Sequence, residues 1–156
     1  MESVYFLRKV RKKDTYGVYR LSNEDYVRKY SVNPNKIYWA EHVLWFKNII
    51  NSDNDIFYVV TDGTNRFLGQ LRYKIENHAA IVSISLCKSI TGKGLSDKLL
   101  NQSIKLICDE RNEVENIIAF VSENNIASKK LFEKTGFVFC ENNNGMSKYV
   151  LFINKE

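Results

Sequence analysis

The chain has 156 residues and a mass of 18.2 kDa, with 44% apolar and 26% charged residues, which fits one globular domain spanning residues 1–156 with one substantial core. Its formal charge of +5 favours polyanionic partners only weakly, because the basic residues are interleaved with carboxylates, as in Arg8-Lys9-Val10-Arg11-Lys12-Lys13-Asp14. No basic stripe with interleaved aromatics marks a nucleic-acid module, and no apolar run approaches the ~18–20 residues of a membrane span.

In chain order, Tyr5 to Val10 reads as a first strand, and Asp14 is placed to cap a following helix. Asp25 to Tyr30 reads as a second short helix. Trp39 to Ile50 carries Val43, Phe46, Ile49 and Ile50 at helical spacing and reads as a third. Asp55 to Thr61 is rich in β-formers, and Asp62-Gly63-Thr64-Asn65 reads as a turn. Strands are predicted over Phe67 to Ile75 and Ala79 to Leu86, joined by Glu76-Asn77-His78, which leaves His78 exposed at a hairpin tip. A glycine-containing loop then leads into a long amphipathic helix, about Leu95 to Cys108. Asn116 to Val121 is the next strand and Ala127 to Lys134 the next helix. Phe137 to Cys140 and Lys148 to Ile153 are the last two strands, with a turn at Asn142-Asn143-Asn144-Gly145. Three consecutive strands before the long helix predict an antiparallel meander that continues through helical crossovers. The result is an α/β mixed sheet of about seven strands with helices on both faces.

Two segments carry chemistry. Thr91-Gly92-Lys93-Gly94-Leu95-Ser96 joins a strand to a helix. Glycines there let backbone amides approach a ligand, and the helix start adds a positive dipole end, which together suit a pyrophosphate; a plain strand-to-helix turn would read the same way. Further on, Val121-Ser122-Glu123-Asn124-Asn125-Ile126-Ala127-Ser128 leads into an amphipathic helix that stops at Gly136. Asn125 suits helix capping, which accounts for it without a ligand.

The second segment resembles the GNAT family of acetyltransferases. Its Asn-x-Ala-Ser-x-x-Leu-aromatic-Glu-Lys-x-Gly-Phe motif is met almost in full from Asn125 to Phe137. The family's loop, Gln/Arg-x-x-Gly-x-Gly/Ala, places Gly94 at the central glycine, with Thr91 in place of Gln/Arg and Ser96 in place of Gly/Ala. The resemblance implies acetyl-coenzyme A as cosubstrate, no metal, and two central strands splayed into a V that receives pantetheine. Ser85 and Leu86 would hydrogen-bond pantetheine through their backbone. Amides of Thr91, Gly92, Lys93, Gly94, Leu95 and Ser96 would hold the pyrophosphate, and Asn125 would contact the cofactor arm from the other side. Two family positions are altered. Phe132 stands where relatives carry a tyrosine acid, and Phe120 where some carry a glutamate base.

A second resemblance concerns the acceptor. Ile37-Tyr38-Trp39-Ala40-Glu41-His42-Val43-Leu44-Trp45-Phe46, followed by Asp55-Ile56-Phe57-Tyr58-Val59-Val60, is similar to the subgroup that acetylates nucleotide-linked amino sugars, of the pseudaminic acid pathway type. It implies that His42 faces the acceptor pocket as a catalytic residue; a half-buried helix histidine is the plainer reading of the residue. Trp45 and Phe46 read as core. Ser83 and Ser85 give their strand one polar face that could line the acceptor cleft, with Tyr73 of the neighbouring strand sharing that face. Three functions stay open: acetylation of an amino-sugar nucleotide or similar small-molecule amine, acetylation of a protein N-terminus or polyamine, and a non-catalytic coenzyme A-binding module.

The opening Met1-Glu2-Ser3 lacks a basic-then-apolar pattern, so the cytoplasm is expected. Cys87, Cys108 and Cys140 are far apart and odd in number, which argues against a disulfide framework, and their spacing suggests no metal site. No nucleic-acid or membrane partner is expected, and a homodimer is left open.

Overall fold

Seven strands, β1 (Phe6–Lys9), β2 (Asp55–Thr61), β3 (Phe67–Glu76), β4 (Ala79–Leu86), β5 (Asn116–Ser122), β6 (Val138–Asn143) and β7 (Met146–Phe152), build one sheet in the order β1-β2-β3-β4-β5-β7-β6. Among the described residues five helices accompany them: α1 (Thr15–Ser22), α2 (Asp25–Arg28), α3 (Trp39–Ile50), α4 (Ser96–Glu110) and α5 (Ile126–Lys134), with short 3-10 turns at Lys12–Asp14 and Lys88–Ile90. This computed structural model describes residues 4–154; the opening tripeptide on which the cytoplasmic expectation rests lies outside the described residues. The predicted element order is met throughout, including the mixed sheet. Among its neighbouring strands only β4 and β5 run parallel, and α4 makes the crossover that a parallel pair requires.

Period-two alternation divides the sheet into two faces. Tyr58 and Val60 of β2, Leu71 and Tyr73 of β3, Val82 of β4 and Ala119 of β5 join Leu99, Leu100 and Ile107 of α4 and Phe132 of α5 in the main core. Phe57 of β2 points the other way, into a smaller cluster with Val18 of α1 and Phe46 of α3. The expected single core is therefore two unequal ones, because Gln70, Arg72, Ser83 and Ser85 occupy the second face beside Phe57 and cannot extend an apolar layer.

Some boundaries differ from expectation for identifiable reasons. Asn144 and Gly145 both take positive φ, 52° and 80°, which is the two-residue hairpin turn that matches strand twist. The last two strands therefore run up to that pair rather than stopping short of a four-residue turn. Asp14 occupies the position before α1, but its side chain makes no cap bond there. It accepts from Arg8 at 2.7 and 2.8 Å and from the Arg11 amide at 2.7 Å, tying β1 to the first helical layer. Tyr73 does not share the face of Ser83 and Ser85. It is in register with Val82, is fully buried, and bonds the Ser103 hydroxyl at 2.7 Å. His78 is exposed at its hairpin tip, as expected, and its Nδ1 approaches the Glu113 carbonyl at 3.1 Å.

Candidate active site

The parallel strands β4 and β5 pair only from Ala79 and Asn116 to Val82 and Ala119. Both continue beyond, to Leu86 and Ser122, without pairing to each other, so a splay opens in mid-sheet. Backbone direction in that splay follows from one bond. The Cys87 amide donates to the Leu68 carbonyl on β3 at 2.8 Å. Alternation then turns the N–H and C=O groups of Ser83 and Ser85 to β3, and those of Ile84 and Leu86 into the splay. The backbone of Leu86 thus faces the splay, whereas that of Ser85 is engaged with β3. Its side chain lines a neighbouring cavity instead.

Beyond Leu86 the chain passes through Lys88–Ile90 into the Gly-Lys-Gly loop. Gly92 and Gly94 take φ of +71° and +70°, a region where an L side chain is strained. A Cβ built on either meets nothing within 4 Å, so the outer side of the loop is open. Thr91 is exposed, and its hydroxyl bonds the Lys88 carbonyl at 2.9 Å. Lys93 is exposed, Leu95 packs against the main core, and Ser96 starts α4. No side chain caps α4 at Leu95, but the Asp97 carboxylate in its first turn accepts from the Asp97 and Lys98 amides, so the amides open to an anion are those of the preceding glycine loop. Across the splay, Asn125 caps α5, its Oδ1 accepting from the Ser128 amide at 3.2 Å. The loop, Leu86 and Asn125 therefore flank one opening, and the exposed glycine-loop amides there suit a phosphate group.

Next to the splay, on the α1–α3 side, lies a cavity of about 440 Å³. Ser83 and Ser85 form part of its floor with Gln70 and Arg72, while Trp45, His42, Glu41 and Arg28 belong to its helical wall. His42 is 2% exposed. Its Nε2 lies 2.8 Å from the Thr15 carbonyl, which can only accept, so the ring N–H is on Nε2 and Nδ1 remains as the acceptor. Burial pulls the His42 pKa down, with the Thr15 bond acting against it, and the ring packs against Trp39 and Phe46. Trp45 is half-buried and lines the cavity, so it is more than core. Tyr26 of α2 reaches over to donate to the Leu86 carbonyl at 2.7 Å. Burial, then the charges of Cys87 and Glu24, raise its phenol pKa to about 12.

Six polar cavity residues are given no role by the sequence: Ser22, Arg28, Ser31, Glu41, Gln70 and Arg72. Gln70 and Arg72 alternate with buried Leu71 and Tyr73, a pattern that ordinarily marks a solvent face. Only their register with Ser85 and Ser83 shows that two polar strand faces adjoin under a helical layer. The altered family positions are accounted for too. Phe132 is buried edge-on against Phe137 with ring centroids 5.0 Å apart, and Phe120 is half-exposed on the opposite strand of the splay. Among the described residues, no group of three or more His, Cys, Asp or Glu could hold a metal ion, and no helix is long and apolar enough to cross a membrane.

Residues 5–138 match the family model described as an acetyltransferase (GNAT) domain. In overall fold the chain is similar to spermidine N-acetyltransferase from Vibrio cholerae, solved with CoA and spermine, at a TM-score of 0.82 and 19% identity over 95% of each chain. It is also similar to a domain from Methanocaldococcus jannaschii, at a TM-score of 0.84 and 19% identity over 97% of this chain and 100% of that one. No curated protein matches it in sequence.

Proposed function

Because the chain belongs to the GNAT family of acetyltransferases, we propose that it moves an acetyl group from acetyl-coenzyme A to the primary amine of a small metabolite, with a nucleotide-linked amino sugar as the leading acceptor. The observation that carries this reading is the cavity beside the splay, whose polar floor of Gln70, Ser83 and Ser85 meets an aromatic wall at Trp45. A single cytoplasmic domain over residues 1–156, active without a metal and able to form a homodimer, belongs to the same proposal.

The thioester supplies an acyl carbon that a neutral amine attacks directly, so positioning provides much of the rate. The Ile84 and Leu86 amides face the splay, and a well-aimed donor to the developing oxyanion is worth ~2.7–4 kcal/mol. Amides of the Gly92–Gly94 loop would hold the pyrophosphate, and the Asn125 amide group would meet the cofactor arm from β5. With Phe132 in the core, no phenol stands at that position to protonate the leaving thiolate. A thiol of pKa about 8.5 departs without one at a reduced rate. His42 is the candidate base through Nδ1, since burial keeps its ring neutral near pH 7.

A polyamine or peptide N-terminus, both cationic, fits the cavity less well. Glu41 is the one carboxylate among its lining residues, against Arg28 and Arg72. A non-catalytic module would bind the cofactor without turnover. Thiol release from acetyl-coenzyme A across amino-sugar nucleotides, polyamines and peptides tests the choice. Turnover with amino-sugar nucleotides supports the reading; turnover confined to polyamines or peptides replaces it, and cofactor binding without release from any amine favours the module.

A further inference from the structure

The proposed acceptor cavity contains a cation that makes no ion pair among the described residues. Arg72 stands in the middle of β3, in register with Phe57 of β2 and Ser83 of β4. Its guanidinium lies over the Trp45 ring, with Cζ 4.9 Å from the centroid. Among the described residues it makes no ion pair and no hydrogen bond. Burial lowers the Arg72 pKa, and Asp55 acts only as a more distant counter-charge. Arg28, the other cation of the lining, is saturated by contrast: its nitrogens donate to the Ser22 and Asn33 carbonyls at 2.7 and 3.0 Å and to the Ser31 hydroxyl at 3.0 Å. A half-buried guanidinium held over an aromatic ring, with no hydrogen-bonded carboxylate among the described residues, has its planar donor fork available for a ligand anion.

A second feature lies one register row away. Gln70 pairs with Ser85, and its Nε2 donates to the Ser22 hydroxyl at 3.2 Å. Its Oε1 is buried and has no partner among the described residues. A lone acceptor there asks for a donor such as an amine. Rows two residues apart on a strand are separated by about 7 Å, so donor and anion would belong to one compact molecule.

We propose that Arg72 is the anion subsite of the acceptor cavity, binding a carboxylate or phosphate that the amine acceptor itself carries, while Gln70 Oε1 accepts a hydrogen bond from its amino group. This rests on the acetyltransferase reading and specifies the acceptor's chemistry: an amine with an anion a few bonds away, rather than a simple amine or a polycation.

Matched pairs test it. An ω-amino carboxylate and its carboxamide, and a 4-amino-sugar nucleotide and the free amino sugar, are titrated calorimetrically into the protein and assayed in parallel for thiol release from acetyl-coenzyme A. At least one anionic member is expected to bind on the order of 10–100-fold more tightly than its neutral partner, and the pair with the gap identifies carboxylate or phosphate. Arg72→Met should erase that gap and Arg72→Lys should keep part of it, with acetyl-coenzyme A affinity unchanged in both. Equal or tighter binding of the neutral members by the unaltered protein overturns the proposal, whether or not Arg72→Met folds. So does a gap that survives in a folded Arg72→Met. Absence of thiol release with every amine, alongside a clear binding gap, would instead remove the acetyltransferase reading and leave the anion subsite standing.

Discussion

The Tyr26 hydroxyl donates to the Leu86 carbonyl across 2.7 Å, and that carbonyl is one of the backbone groups turned into the splay between β4 and β5. A side chain from the short α2 thereby fixes the strand end where a cofactor would pair. Lys88 adds to the contact, with its Nζ 5.3 Å from the Tyr26 ring centroid.

Replacing Tyr26 by Phe removes that bond while keeping the ring. The expected outcome is a loss of about 1 kcal/mol in stability and a severalfold rise in KM for acetyl-coenzyme A with kcat little changed. Urea unfolding and steady-state kinetics check both; an unchanged KM would detach Tyr26 from cofactor binding.

Gly94→Ala places a Cβ at φ +70° in open space. Its effect is therefore conformational strain rather than collision, about 1–2 kcal/mol, relieved by a shift of the loop that carries the amides. KM for acetyl-coenzyme A should rise about tenfold or more, beyond what the loss of stability explains. Calorimetric titration of the cofactor into the variant measures it directly.

The elements and their order were legible in the sequence because the apolar periodicities are strong and turn residues such as Asn144-Gly145 are unambiguous. The proposed cofactor side rests on local signals, since Gly92, Gly94 and Asn125 stand within a few consecutive residues of their motifs. The polar cavity is not legible in that way. Arg72 and Gln70 become part of a cavity only through pairing with Ser83 and Ser85 and through coverage by α1 and α3, relations between segments far apart in the chain. His42 was singled out, yet its bond to the Thr15 carbonyl depends on how α1 and α3 pack. The family resemblance implies a cofactor contact for the Ser85 backbone, and strand alternation turns that backbone to β3 instead.

Acid should weaken the fold at Asp14. Burial works to raise its pKa, but the Arg8 hydrogen bonds, the Arg11 amide and the charges of Arg8 and Lys13 outweigh burial and lower it. A carboxylate with a depressed folded-state value contributes stability above its unfolded value near 3.9, lost as pH falls through the folded one. Thermal unfolding of the unaltered protein should therefore decline below about pH 4. Asp14→Asn should be less stable at neutral pH by about 2–3 kcal/mol, with a flatter profile in the acid range.

His42 governs a higher window. Its pKa is lowered by burial despite the Thr15 bond, so the unfolded chain binds its proton first. The stability it contributes is complete above about pH 6.5 and is lost as pH falls through the lowered value. His42→Gln retains an N–H for the Thr15 carbonyl and cannot titrate, so its melting temperature should vary less between about pH 7.5 and about pH 5 than that of the unaltered protein. If His42 is also the base, kcat/KM of the unaltered enzyme falls on acidification and the variant loses that limb.

The inequality of the two sheet faces gives the molecule a division of labour. The larger apolar layer lies under α4 and α5, whereas the layer of α1, α2 and α3 rests on three buried residues with partly buried Val10, Trp45, Ile49, Ile50 and Phe67 around them and on polar tethers such as Arg8 to Asp14 and Tyr26 to Leu86. Its amides are therefore expected to exchange with solvent ahead of those in α4, which hydrogen exchange measures. The helical wall of the polar cavity is thus the part of the molecule that mutation can rebuild at least cost to the larger core.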